Sequence, residues 1–246
     1  MIYNEKEIVG ELSDFIKCCW FFDSEDEDVV NTILPDGYFD LIFKVRNAEL
    51  VNAFFTGTWT KPIDVQIEKH TRMFAVRFRL IAAEYIFRES IETIVDTSTE
   101  LPVHDWETLP FDNLEQFEEM ICRTFIHFLP EKTEIDHRKF RLFQILYEQK
   151  GDISVNELAS QIGWSSRQIN RWFNSQFGVS LKTFANILKC HEAYPLIARG
   201  HLHPAKSYYD QAHFIKEVKR YTGVTPKELH QNKNDRFLQL STLPKK

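Results

Sequence analysis

The stretch Ser154–Gly178, SVNELASQIGWSSRQINRWFNSQFG, constrains the chain more than any other. It predicts two short helices with only a glycine-containing turn of about three residues between them. Ser154 followed three residues later by Glu157 is a capping box, and Gly163 is the stop. Val155, Leu158, Ala159 and Ile162 make the apolar stripe of the first helix. Ser165 and Ser166 open the second, with Ile169, Trp172, Phe173 and Phe177 inward. This is the helix-turn-helix arrangement, whose second helix fits the major groove of duplex DNA. The outward positions are Arg167, Gln168, Asn170, Arg171 and Asn174, with no acid among them. Arg suits guanine and Asn or Gln suits adenine. Ser165 and Ser166 sit at the positive end of the helix dipole, where phosphate is favoured. A merely solvated helix face would usually mix in Asp or Glu.

Charge divides the chain in the same sense. The net charge is −6, but residues 1–135 hold 12 Lys+Arg against 27 Asp+Glu. Residues 136–246 hold 18 against 9, a balance of +9. A basic half on an acidic chain points to a polyanion partner for that half. With 43% hydrophobic residues and 21 Phe, the chain has material for a real core. No run of eighteen apolar residues predicts a membrane span, and the acidic N-terminus lacks the order of a signal peptide. The expected address is cytoplasmic. Cys18, Cys19, Cys122 and Cys190 form no C-x-x-C pair and read as reduced thiols.

Before the boundary the pattern is mainly that of strands. Phe39, Leu41, Phe43 and Val45 share one face of a strand; Phe74, Val76, Phe78 and Leu80 share one face of another. Arg77 and Arg79 project from the opposite face, toward a ligand anion or toward acidic neighbours. Helical periodicity begins in IAAEYIFRESIETI and is clearer in residues 109–130, where Asp112 is the expected cap and Pro130 the stop. After residue 136 the chain reads as helices, including a long one over about Leu181–Ala198. The expected fold class is α+β. Residues 1–135 form a mostly antiparallel β domain with helices, and residues 136–246 an all-α domain.

The second half resembles the AraC/XylS family of bacterial transcription regulators over about Ile153–Leu229. The resemblance rests on ELASQIGWSSRQINRWFNSQFGVSLKTF and on YYDQAHFIKEVKRYTGVTP. It implies two helix-turn-helix units joined by a linker helix, reading successive major-groove segments. Base-reading positions of the first unit fall on Arg167, Asn170 and Arg171, with Gln168 alongside. Those of the second fall on Gln211, Ala212, Ile215 and Lys216, and Lys219 and Arg220 are expected phosphate contacts. The second unit is shortened: only HLHPAKS separates Gly200 from Tyr208, and a helix is allowed only from about Pro204 onward. ILPDGYFDLIFKV, FFTGTWTKP and FAVRFRLIAAEYIF resemble an N-terminal domain fused to such modules, one taken to sense a signal, dimerise, or both. The resemblance implies duplex DNA as a partner and leaves RNA polymerase, a small-molecule effector and a homodimer open.

Other classes are weighed on the same residues. A regulator with degraded DNA binding, acting by protein pairing, would explain the shortened second unit. A DNA-repair methyl acceptor needs a cysteine in a zinc thiolate cluster, which positions 18, 19, 122 and 190 do not supply. No phosphate-binding glycine loop, dinucleotide fingerprint or nucleophile elbow is present. No cofactor, metal or catalytic residue is expected.

Overall fold

The alternation in residues 39–45 and 74–80 is the mark of the two strands at the centre of a sheet. The computed structural model describes residues 1–131, 133–203 and 208–241. Its strands are β1 (Ile2–Glu7), β2 (Ile16–Asp23), β3 (Val29–Ile33), β4 (Tyr38–Arg46), β5 (Glu49–Thr56), β6 (Ile63–Ile67), β7 (Arg72–Arg79) and β8 (Ser98–Leu101). Six of them form an antiparallel sheet in the order β1-β2-β7-β4-β5-β8, and β3 pairs with β6. Phe39, Leu41 and Phe43 of β4 and Phe74, Val76 and Phe78 of β7 are fully buried. Helix α1 (Ile81–Tyr85) follows β7, and α2 (Leu114–Phe125) covers this face with Phe117, Ile121 and Phe125. The opposite face carries Cys18, Trp20, Phe22, Ile42 and Ala75, which pack with Val29, Val65 and Ile67 of the small sheet. The central strands are therefore buried on both sides.

Three local expectations shift. The helix expected through Ile94 stops at Tyr85, because the chain passes Arg88 at φ +57° and turns Phe87 inward. Phe87 sits 4.9 Å from Phe55 and 5.0 Å from Phe78, ring centre to ring centre. The cap of α2 is Asn113, not Asp112: its side chain accepts from the Gln116 N–H at 2.9 Å. The helix ends at Phe125 rather than at Pro130, and the tighter turn that follows leaves Phe128 exposed.

The second half is built of α3 (His137–Glu148), α4 (Val155–Ile162), α5 (Ser166–Phe177), α6 (Leu181–Ala198), α7 (Gln211–Thr222), α8 (Pro226–Gln231) and α9 (Leu238–Ser241). Helix α6 runs over the span its pattern predicts and serves two cores. Phe184 joins Phe143, Phe173 and Phe177, while Ile187, Cys190, Tyr194 and Ile197 pack with Phe214, Val218, Tyr221 and Leu229. The segment expected to form a shortened helix from Pro204 lies outside the described residues.

Candidate nucleic-acid interface

Local chemistry fixes the turn between α4 and α5. Ser154 and Glu157 form the capping box of α4, and Gly163 closes it at φ +67°, a left-handed conformation that glycine adopts without strain. Ser165 and Gln168 form a second capping box at the start of α5. Ile169, Phe173 and Phe177 are fully buried beneath it. Arg167, Arg171 and Asn174 are exposed at i, i+4 and i+7, one face of the helix. Their side chains make no hydrogen bond or ion pair among the described residues.

The other expected groups on α5 are engaged locally. The Gln168 Oε1 accepts from the Ser165 N–H and Oγ, at 3.0 and 2.7 Å. The half-buried Asn170 donates to the Ser166 carbonyl at 2.9 Å. The Ser166 hydroxyl donates to Asn156 on α4 at 3.1 Å. The S-x-x-Q spacing already carried the signal for the Gln168 box.

Helix α7 repeats the design with different side chains. Asp210 caps it by accepting from the His213 N–H at 2.7 Å, and Gly223 closes it at φ +76°. Phe214, Val218 and Tyr221 face inward; Gln211, Ala212, Ile215, Lys216, Lys219 and Arg220 are exposed. Gln211 donates to the Leu202 carbonyl at 2.9 Å. Arg220 lies over the Tyr221 ring, 5.4 Å from its centre. The Lys216 and Lys219 side chains make no hydrogen bond or ion pair among the described residues.

Residues 158–232 match a helix-turn-helix domain model, and residues 10–100 match a domain of unknown function, DUF6597. Residues 158–232 are an AraC-type helix-turn-helix domain. That places the chain among DNA-binding transcription regulators. No curated protein matches the sequence. Among solved structures the chain is similar to ToxT of Vibrio cholerae. One form, at 1.65 Å resolution, aligns with TM-score 0.42 and 9% identity, over 92% of this chain and 97% of that one. ToxT bound to an unsaturated fatty acid aligns with TM-score 0.41 and 11% identity, over 86% and 95%. ToxT bound to (E)-4-(8-methylnaphthalen-1-yl)but-3-enoic acid aligns with TM-score 0.44 and 8% identity, over 97% of both chains.

The helix-turn-helix domain is held by contacts that sequence patterns missed. Glu84 of α1 accepts from Trp172 Nε1 at 3.1 Å and pairs with Lys139 of α3. The Lys139 ammonium lies over the Trp172 ring, 4.9 Å from its centre. The Ser90 hydroxyl bonds the Ser175 and Gln176 carbonyls, and the Gln176 amide donates to the Glu89 carbonyl at 2.7 Å. These bonds fasten the middle and C-terminal end of α5 and leave its Arg167–Asn174 face open. The turn at residues 34–38 receives α6 and α3: Tyr194 of α6 donates to the Pro35 carbonyl and Tyr147 of α3 to that of Gly37. Gln239 brackets Leu34 with two hydrogen bonds. Such pairings join residues more than 50 positions apart and leave no periodic trace.

Arg77 and Arg79 are committed within this junction. Arg77 is half-buried against Asp40, Nε to Oδ1 at 3.1 Å, and lies 3.5 Å from Asp36. Trp20 Nε1 also donates to Asp40 at 3.1 Å. Burial raises both carboxyls above their usual range, and Arg77 opposes the shift. Arg79 donates to the Ser13 carbonyl at 3.0 Å and lies over the Tyr147 ring. The cavity it borders is about 20 Å³, room for a single water. Burial likewise pushes the Cys18 and Cys190 thiols up to about 12 and Cys122 to about 11, so all three stay protonated at neutral pH.

His191 of α6 sits between Tyr38 and Tyr194 in this junction. Burial, then Arg77, lowers its pKa from 6.5 to about 4. The unfolded chain therefore takes the proton first, so the stabilisation from neutral His191 is complete above pH 6.5 and fades as pH falls toward 4. Asp36 and Asp40 titrate in the opposite sense, so comparison with a variant isolates the histidine. The Tm difference between the native chain and His191→Gln should grow from pH 4 to pH 6.5 and stay level above it. Melting curves across that range check the slope; a difference independent of pH would remove His191 from the account.

Proposed function

We propose that the chain is a sequence-specific transcription regulator that reads the major groove mainly through α5, as a unit of residues 136–246 carried by an N-terminal domain of residues 1–135. The supporting observation is the open face of α5. Arg167, Arg171 and Asn174 stand exposed, and unpaired among the described residues, in a helix with no acidic residue. Two arginine forks and an amide suit guanine and adenine edges. The start of α5 at Ser165 and Ser166 favours a phosphate, and Gln168, Asn170 and Gln211 border the same groove surfaces. Lys216, Lys219 and Arg220 of α7 add phosphate contacts that hold the second unit without reading sequence.

Selection of duplexes from a random-sequence pool by the full chain tests this reading. A defined site should be enriched, with log K falling by about 0.9 per phosphate contact as log salt rises. Lys216→Ala should reduce that slope by about one and weaken all sequences alike. An unenriched pool, or binding indifferent to salt, would refute the assignment.

A further inference from the structure

We propose that α7 reads thymine, through methyl contacts made by Ala212 and Ile215. The inference rests on the DNA-binding reading above and adds what the second unit recognises. The inward side of α7 is filled by Phe214, Glu217, Val218 and Tyr221, so Ala212 and Ile215 take no part in the core. Ile215 is 36% exposed and is not among the side chains packed on the core that α7 covers. Ala212 lies one turn earlier on the same side. Lys216 and Lys219, at i+4 from Ala212 and Ile215, flank them with charge that is unpaired among the described residues.

That combination selects its partner. Two small apolar groups inside a cationic rim fit a polyanion that presents methyl groups, and the major groove offers one: the C5-methyl of thymine. Neither Ala212 nor Ile215 can donate or accept a hydrogen bond, so neither can read guanine, cytosine or adenine. Helix α5 shows the contrast, its exposed face carrying Arg167, Arg171 and Asn174. The two units thus divide the work. The first reads hydrogen-bonding edges and the second reads methyls, and the preferred site carries thymine in the segment under α7.

Uracil substitution provides the test, since it removes only the methyl. In a duplex enriched by the full chain, each thymine is replaced by uracil in turn. A thymine under Ile215 should bind about fourfold more weakly as uracil, the effect of losing one methyl-sized apolar contact. Ile215→Ala should bind the thymine and uracil forms of that position equally, with its melting temperature unchanged as expected of an exposed site. A duplex that binds tightly and tolerates uracil everywhere overturns the inference and leaves the proposed function standing. An Ile215→Ala chain that still prefers thymine fourfold at every sensitive position overturns the role of Ile215. Failure to enrich any duplex overturns both readings together.

Discussion

Arg171→Ala should weaken binding to the preferred duplex by roughly 5- to 150-fold, the range for losing one bidentate arginine–guanine contact of about 1–3 kcal/mol. The expectation rests on geometry. Arg171 is exposed, without a partner among the described residues, and one turn after Arg167 on the same face. It also stands on a helix that is held in place. Glu84 fixes Trp172, the next residue, and Ser90 and Gln176 tie the helix end to the N-terminal half. A guanidinium on a fixed helix loses less freedom on binding than one on a mobile loop. The loss should be selective as well as large. Preference at one guanine should collapse, while affinity for unrelated duplexes changes little. Arg171→Lys should not restore it, because an ammonium lacks the planar fork. Competition binding against duplexes altered at each guanine measures both quantities. If Arg171→Ala weakened preferred and unrelated duplexes by the same factor, the residue would be a phosphate contact.

What sequence patterns revealed, and what they did not, follows from the range of the interactions. Helices α4, α5 and α6 begin and end as their patterns predict because capping and stop signals are local: Ser154 with Glu157, Gly163, and Ser165. The inward stripe of β4 and β7 was likewise legible, since period two is a property of the strand itself. The error at residues 81–94 arose because the segment has helical periodicity but is bent at Arg88, where Phe87 enters the aromatic core. Nothing local announces that competition. The same holds for Arg77. Its outward period placed it on the second face of β7, but only the fold brings Asp36 and Asp40 to it. Of the positions proposed to read bases in the first unit, Arg167 and Arg171 are open, whereas Gln168 and Asn170 are engaged within their own helix.

Arg77→Met should destabilise the chain by about 3–5 kcal/mol, the cost of leaving buried charge without its partner. At this chain length that corresponds to a fall in Tm of roughly 10 °C. The arrangement is asymmetric: one guanidinium faces two buried carboxyls, Asp36 and Asp40. Asp40 is the closer partner and is also bonded by Trp20, so its charge is the better compensated. Asp36 additionally caps the turn by accepting from the Tyr38 N–H at 3.1 Å. Asn at position 36 keeps that acceptor and removes the surplus charge. Asp36→Asn alone should therefore be neutral or stabilising at pH 8, where the native carboxyl is costly to ionise. Combined with Asp40→Asn, it should recover most of the loss caused by Arg77→Met, since no buried charge then remains unpaired. Thermal melts of the four chains measure the coupling. The consequence reaches beyond β7, because the turn at residues 34–38 above Arg77 is where Tyr147 and Tyr194 anchor α3 and α6. An Arg77→Met chain with native Tm would mean that water or a rotated side chain satisfies the carboxyls, and that the junction does not depend on the ion pair.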